Sequence, residues 1–266
     1  MILGSQSRHL MAEKGQHNFA SEIPDVVENF DPDEMVVTVG GATAIARLMK
    51  LSCEHGLVPS GIQPDEVGTF GGLFSDPREG PCDSFSGRFR DHVLGIEGYR
   101  GDGGSLLSGG RVVKNVTGYD LVRLLGGALG ALGVVTRLHL RLERQAACWH
   151  RIDWPMTNEI VSWETLDSIR RLPFEPYWLS MQPAEQRCQI LLAGTMRSIE
   201  ESLQLLEPVI GSTDSCIDSR EIGYQELVQS HREKRAAVGN GLRVRMPWQS
   251  WRHVTFSAPG KWRSIF

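Results

Sequence analysis

The sequence has no run of about 18 apolar residues, so nothing in it reads as a membrane-spanning helix. Its start, Met1-Ile-Leu-Gly-Ser-Gln-Ser7, lacks the basic flank and long apolar core of a signal peptide. Excess charge of one sign is also missing. Lys and Arg total 28 against 32 Asp and Glu, and a net charge of -4 gives no electrostatic case for binding nucleic acid or a strongly anionic membrane. Cysteines are few and scattered (Cys53, Cys82, Cys148, Cys188, Cys216), with no Cys-x-x-Cys pair. Neither a zinc site nor a disulfide framework is signalled, and reduced thiols in a cytosolic chain are expected. The G-x-x-x-x-G-K-[ST] phosphate loop of ATPases is absent, as is any internal repeat. With 41% hydrophobic and 23% charged residues, the composition is that of a folded chain rather than a disordered one. Its 266 residues suit one large or two modest domains.

What the sequence does have is glycine, 29 residues in all. The β-branched run Glu34–Val39 reads as a strand ended by Gly40-Gly41, after which Thr43 is placed to cap a helix reaching about Glu54. From Gly56 to Gly87, prolines and glycines interrupt any periodicity, and a long irregular segment of this kind is usually functional or disordered. Strands are expected over Asp91–Tyr99, Ser105–Leu107 and Gly133–Leu142, with a turn at Gly101–Gly104 and a helix over Tyr119–Leu125. Beyond Leu142 glycine thins out and all seven tryptophans appear. Strands at Arg151–Trp154, Tyr177–Met181 and Gln189–Ala193 alternate with helices at Ile160–Leu172 and Ser198–Leu206. A helix from about Arg220 to Ala237 and a strand at Leu242–Met246 follow. This β-α-β-β-α order reads as an α+β layer with helices on one face, and a domain boundary falls near residue 143.

Three glycine clusters could bring backbone N–H groups close to a nucleotide diphosphate, because a Cβ would block that approach. They are Gly4-Ser5-Gln6-Ser7, Gly68-Thr69-Phe70-Gly71-Gly72, and the run from Gly126 to Gly133 that leads into Val134-Val135. Each also has a plainer reading, as a polar turn or as a place where a helix end packs tightly on a strand. Gly40-Gly41 follows a strand but lacks G-x-G-x-x-G spacing, so a strand-to-helix loop accounts for it better.

The order of motifs says more than any one of them. Ser86–Gly95 (SGRFRDHVLG), Gly109–Leu125 (GGRVVKNVTGYDLVRLL) and Gly130–Thr136 (GALGVVT) together resemble the FAD-binding fold of the vanillyl-alcohol oxidase and para-cresol methylhydroxylase (PCMH) type. Within that family the Lys-Asn-Val-x-Gly-Tyr-Asp-Leu phrase is similar to the FAD-binding (E) subunits of bacterial glycolate oxidases. The resemblance covers residues 1–145 well and continues weakly to about residue 247. It implies an FAD-binding domain over 1–143 and a partial α+β substrate-side domain over 144–266. Relatives carry more chain at both ends, so the sequence resembles a truncated member.

The resemblance implies roles position by position. Gly4, Ser5, Gln6 and Ser7 match the loop around the FAD pyrophosphate. Ser7 stands where covalently flavinylated relatives carry histidine, which implies non-covalent FAD. Thr69, Gly71 and Gly72 match the segment passing close to the flavin, and Ser86, Gly87, Arg90 and Asp91 a second flavin-facing loop. Gly133, Val134 and Val135 match the strand start beside the adenine. Lys114, Asn115, Gly118 and Tyr119 match the subunit-specific phrase. No catalytic residue and no metal ligand is assigned. Plainer readings stand beside these. Arg90-Asp91 suits a structural ion pair, His92 and His139 suit packed or hydrogen-bonded side chains, Lys114 suits a solvated surface, and the tryptophans suit a core.

The implied function is a flavoprotein subunit of a glycolate (2-hydroxy-acid) oxidase or dehydrogenase. Electrons would pass to a second flavoprotein subunit and an iron–sulfur subunit, in the cytoplasm and at most peripheral to the inner membrane face. A non-catalytic scaffold of the same fold, or a truncated relic, stays open at this point.

Overall fold

A computed structural model of the chain describes residues 23–77, 82–111, 119–156, 159–182, 186–210, 218–229, 232 and 263–265. The expected strand at Leu242–Met246 lies outside the described residues. Two units are present, Met1–Gln145 and Ala146–Phe266.

The first unit is organised by one long strand, β6 (Gly133–Arg144). Its alternation places Leu138, Leu140 and Leu142 in the core and turns Arg137, His139 and Arg141 to the other face. Twelve residues give it the length to pair antiparallel with β2 (Val36–Gly40), β4 (Val93–Arg100) and β3 (Leu57–Pro59). β1 (Val27–Asp31) and β5 (Ser105–Gly109) complete the order β1-β2-β6-β4-β5, with β3 off this path. β1 carries no apolar alternation, which hid it in the sequence, and Asp31 Oδ1 accepts from the Glu34 N–H at 3.0 Å in the turn to β2. Against the sheet pack Ile45 and Leu48 of α1 (Ile45–Cys53) and Phe70, Leu73 and Phe74 of α2 (Phe70–Ser75). Each such side chain contributes about 2–3 kcal/mol by burial.

Thr43 does not cap α1. The cap position is Ala44, and the Thr43 hydroxyl donates to the Val26 carbonyl at 2.9 Å, so tertiary contact outcompetes local capping. Nor is Gly56–Gly87 wholly irregular: it contains β3, α2 and α3 (Asp83–Ser86), elements too short to show a period. The strand expected from Asp91 begins at Val93, after a 3-10 turn over Phe89–His92. The helix α4 spans Leu121–Leu125, with Asp120 as its cap.

On the face of the sheet away from this core, Thr38 and His139 are both buried. His139 Nδ1 lies 2.8 Å from the Thr38 hydroxyl and Nε2 lies 3.4 Å from Glu97 Oε1. The arrangement is satisfied when Thr38 donates to Nδ1 and Nε2–H faces Glu97. Burial lowers the imidazole below its ordinary value of 6.5, against the opposing pull of Glu97. A lowered basic group stabilises the fold fully above the unfolded value and loses that contribution as pH falls below it. The urea midpoint is therefore expected to drop as pH falls below about 6.5, and His139→Gln is expected to flatten that slope. Parallel pH profiles for the two proteins would exclude His139 as the cause.

The second unit has the sheet order β10-β7-β9-β8-β11, from β7 (Cys148–Pro155), β8 (Trp178–Gln182), β9 (Arg187–Gly194), β10 (Asp218–Glu221) and β11 (Arg263–Ile265). With α5 (Glu159–Arg170) and α6 (Met196–Ile210), the expected β-α-β-β-α order is present. Leu166, Ile169, Ile199 and Leu206 pack on Ile152, Trp154, Ile190 and Leu192. The helix expected from Arg220 is corrected: Arg220 lies in β10, paired with Arg151, and helix occupies 224–229. The two opposed guanidiniums are tolerated because Glu226 pairs with both.

Candidate functional site

Of the described parts of the candidate site, Thr69, Gly71 and Gly72 form the start of the six-residue helix α2. At its first turn Thr69 is the cap, and its hydroxyl accepts from the Gly72 N–H at 3.3 Å. The Phe70 N–H donates to the Thr43 carbonyl at 3.1 Å and the Gly71 N–H to the Gly41 carbonyl at 2.8 Å. These three donors are thus used within the protein, and Gly71 serves close packing. A Cβ there would stand 2.8 Å from the Gly41 oxygen.

Gly41 in turn donates to the Thr136 carbonyl at 2.7 Å, and a Cβ on it would stand 2.7 Å from the Val135 oxygen. The turn Gly40-Gly41, which sequence reading gave only a connecting role, therefore joins Thr69–Gly72 to the start of β6. There Gly133, Val134 and Val135 pair with Arg100, Tyr99 and Gly98. The signal that could have found Gly41 is a pair of glycines at a strand end, facing a second pair elsewhere in the chain.

At the other end of α2, the Phe74 carbonyl accepts from the Gly127 N–H at 2.9 Å and the Ser75 carbonyl from the Leu129 N–H at 3.0 Å. A Cβ on Gly126 would first meet the Val122 carbonyl oxygen at 3.1 Å, with the Phe74 ring and Arg90 Cβ each 3.4 Å away. Arg90 Nε is buried with no hydrogen-bond partner. A buried donor left this way costs about 1–3 kcal/mol unless something outside the chain accepts from it. The expected Arg90–Asp91 ion pair is not formed: Asp91 instead faces Arg123 at 3.9 Å, near the surface.

Ser86 ends α3 and spends its hydroxyl on the Cys82 carbonyl at 2.8 Å, while Gly87 caps the helix at φ 73°. Tyr119 is 92% exposed. Gly4, Ser5, Gln6, Ser7, Lys114, Asn115 and Gly118 lie outside the described residues. Among the described residues no group of His, Cys, Asp and Glu could hold a metal ion, and no helix is long and apolar enough to cross a membrane.

No protein-family model matches the chain. It is 31% identical to glycolate oxidase subunit GlcE of Escherichia coli K12 over 185 residues, 68% of this chain and 51% of that one. It is 26% identical to glycolate oxidase subunit GlcD of Bacillus subtilis over 168 residues, 56% of this chain and 36% of that one. D-lactate dehydrogenase of Archaeoglobus fulgidus is 32% identical over 115 residues, 43% of this chain and 26% of that protein. The chain spans about half the length of the first of these relatives and less of the others. A solved structure of alkyldihydroxyacetonephosphate synthase superposes with a TM-score of 0.68 at 12% identity, covering 89% of this chain and 52% of that one.

Proposed function

We propose that this chain, a sequence relative of FAD-linked oxidoreductases with the vanillyl-alcohol oxidase-type fold, is the FAD-binding subunit of a 2-hydroxy-acid (glycolate-type) oxidase or dehydrogenase. The observation that carries the reading is the buried, unpartnered Nε of Arg90, a residue whose Cβ lies beside Gly126 at the end of α4. A flavin carbonyl or a phosphate oxygen is an acceptor of the kind this donor lacks. When bound, FAD supplies the two-electron acceptor for the carbon bearing the hydroxyl. The chain's own contribution is positioning. Arg90 orients an acceptor oxygen, Thr69, Gly71 and Gly72 bring the start of α2 close, and Val134, on the face of β6 opposite the core residue Val135, offers an apolar contact. Ser86, Gly87 and Asp91 shape the neighbouring loop, Gly133 lets β6 approach β4, and Gly4, Ser5, Gln6 and Ser7 take the pyrophosphate. The cofactor is held without a covalent bond.

Similarity to two differently named glycolate oxidase subunits supports work in a multi-subunit complex. We assign it a second, related flavoprotein subunit and an iron–sulfur subunit. The scattered cysteines of this chain leave any cluster to that partner.

The test is reconstitution of the purified chain with FAD, followed by anaerobic addition of glycolate or D-lactate. Flavin uptake and bleaching are expected with the partner present. A chain that takes up no flavin in either setting overturns the proposal in favour of a scaffold. Arg90→Met is expected to raise the FAD dissociation constant about 10- to 100-fold, the worth of one hydrogen bond from a charged group. Calorimetric titration reads that shift, and an unchanged constant would remove Arg90 from the site.

A further inference from the structure

We infer that His92 is a positioning residue for the Ser86-Gly87 loop, holding it against the loop that follows β3; the consequence for cofactor binding rests on the function proposed above. The ring closes the 3-10 turn just before β4. Its Nε2 lies 2.5 Å from the Ser86 carbonyl oxygen. A carbonyl only accepts, so Nε2 carries the proton and donates.

The ring is also wedged sterically. A Cβ on Gly87 would stand 2.8 Å from Nε2, and one on Gly61 would stand 2.7 Å from Cδ2 of the same imidazole. Both glycines sit in the left-handed region, at φ 73° and 71°, where a side chain is disfavoured. Two loops distant in sequence therefore close on one ring because each is bare where it meets it.

A second tie runs in parallel. Gln63, buried in the loop after β3, donates to Asp83 Oδ1 at 2.6 Å and accepts from the Cys82 N–H at 3.5 Å. Asp83 and Cys82 belong to the turn that presents Ser86: the Ser86 N–H donates to the Cys82 carbonyl and the Gly87 N–H to the Asp83 carbonyl. Gln63 thus secures the beginning of this turn and His92 its end. His92 acts through backbone it holds, and Arg90 lies two residues away on the same 3-10 turn.

The experiment compares the wild-type chain with His92→Phe, which keeps a ring and removes the donor, and His92→Gln, whose amide nitrogen replaces Nε2. Amide exchange over residues 82–88 is measured without flavin, then the FAD dissociation constant of each protein. His92→Phe is expected to speed exchange of the Ser86 and Gly87 amides about tenfold and to weaken FAD about tenfold. His92→Gln is expected to recover most of both effects, and protection of β6 serves as the control for folding. If His92→Phe leaves exchange over 82–88 unchanged, the ring is ordinary packing and the inference is overturned. If exchange responds but the wild-type chain takes up no FAD, His92 still holds the loop and the proposed function is what fails. Failure of His92→Gln to restore exchange while β6 stays protected would also count against the donor role.

Discussion

Asp153→Ala is expected to remove about 3–5 kcal/mol from the stability of the second unit, the usual cost of breaking a buried ion pair from one side. Asp153 is 0% exposed. It accepts from Gln189 Nε2 at 2.6 Å, and Arg151 Nε lies 3.0 Å and Arg187 Nε 3.8 Å from its oxygens. Alanine would leave two guanidiniums and an amide facing an empty position. Asp153→Asn, which keeps an acceptor for Gln189 and loses only the charge, is expected to cost less. All seven tryptophans lie between Trp149 and Trp262, so their fluorescence reports this unit alone during urea unfolding. A tryptophan transition at the wild-type midpoint in Asp153→Ala would show that the arginines re-pair without loss.

Gly71→Val and Gly72→Val are expected to differ in kind although the residues are adjacent. At Gly71 the new Cβ stands 2.8 Å from a backbone oxygen of Gly41, which cannot rotate away as a flexible side chain could. The first turn of α2 must then leave Gly41, and about 3 kcal/mol or more is lost from the first unit. Exchange of the Gly41 and Gly71 amides should rise together, because both belong to the same contact. Gly72→Val is expected to keep the thermal transition and lose flavin uptake, since Gly72 lines the approach to the cofactor in the proposed site. Equal flavin uptake by Gly72→Val and the wild-type chain would move that segment out of the site. Normal stability of Gly71→Val would show that the Gly41 contact is dispensable.

Much of the architecture was legible in the sequence because long strands and helices carry their burial pattern with them. Leu138, Leu140 and Leu142 announce β6 by alternation, and the β-α-β-β-α run of the second unit follows from spacing alone. The misreadings fall where a partner distant in sequence decides the outcome. Thr43 looked like a cap and instead bonds Val26, while Arg220 looked helical and instead extends a sheet through Arg151. For the site, the glycine positions were visible but their use was not. Local sequence cannot tell that the N–H groups of Gly71 and Gly72 are already spent on Gly41 and Thr69. His92 was foreseen as a packed or hydrogen-bonded side chain. Its contact with two left-handed glycines could be seen only once the loops were placed.

The central place of β6 also bears on how the chain is made. β2, β3 and β4 each await a strand that is translated about 40 to 100 residues after them, so contacts of long sequence separation must close late. During synthesis on the ribosome, the edges of β2 and β4 that pair with β6 remain open until residues 133–144 clear the exit tunnel. That interval is a window for chaperone capture. Slowing translation just upstream of codon 133 would lengthen it, and nascent-chain aggregation would measure its cost.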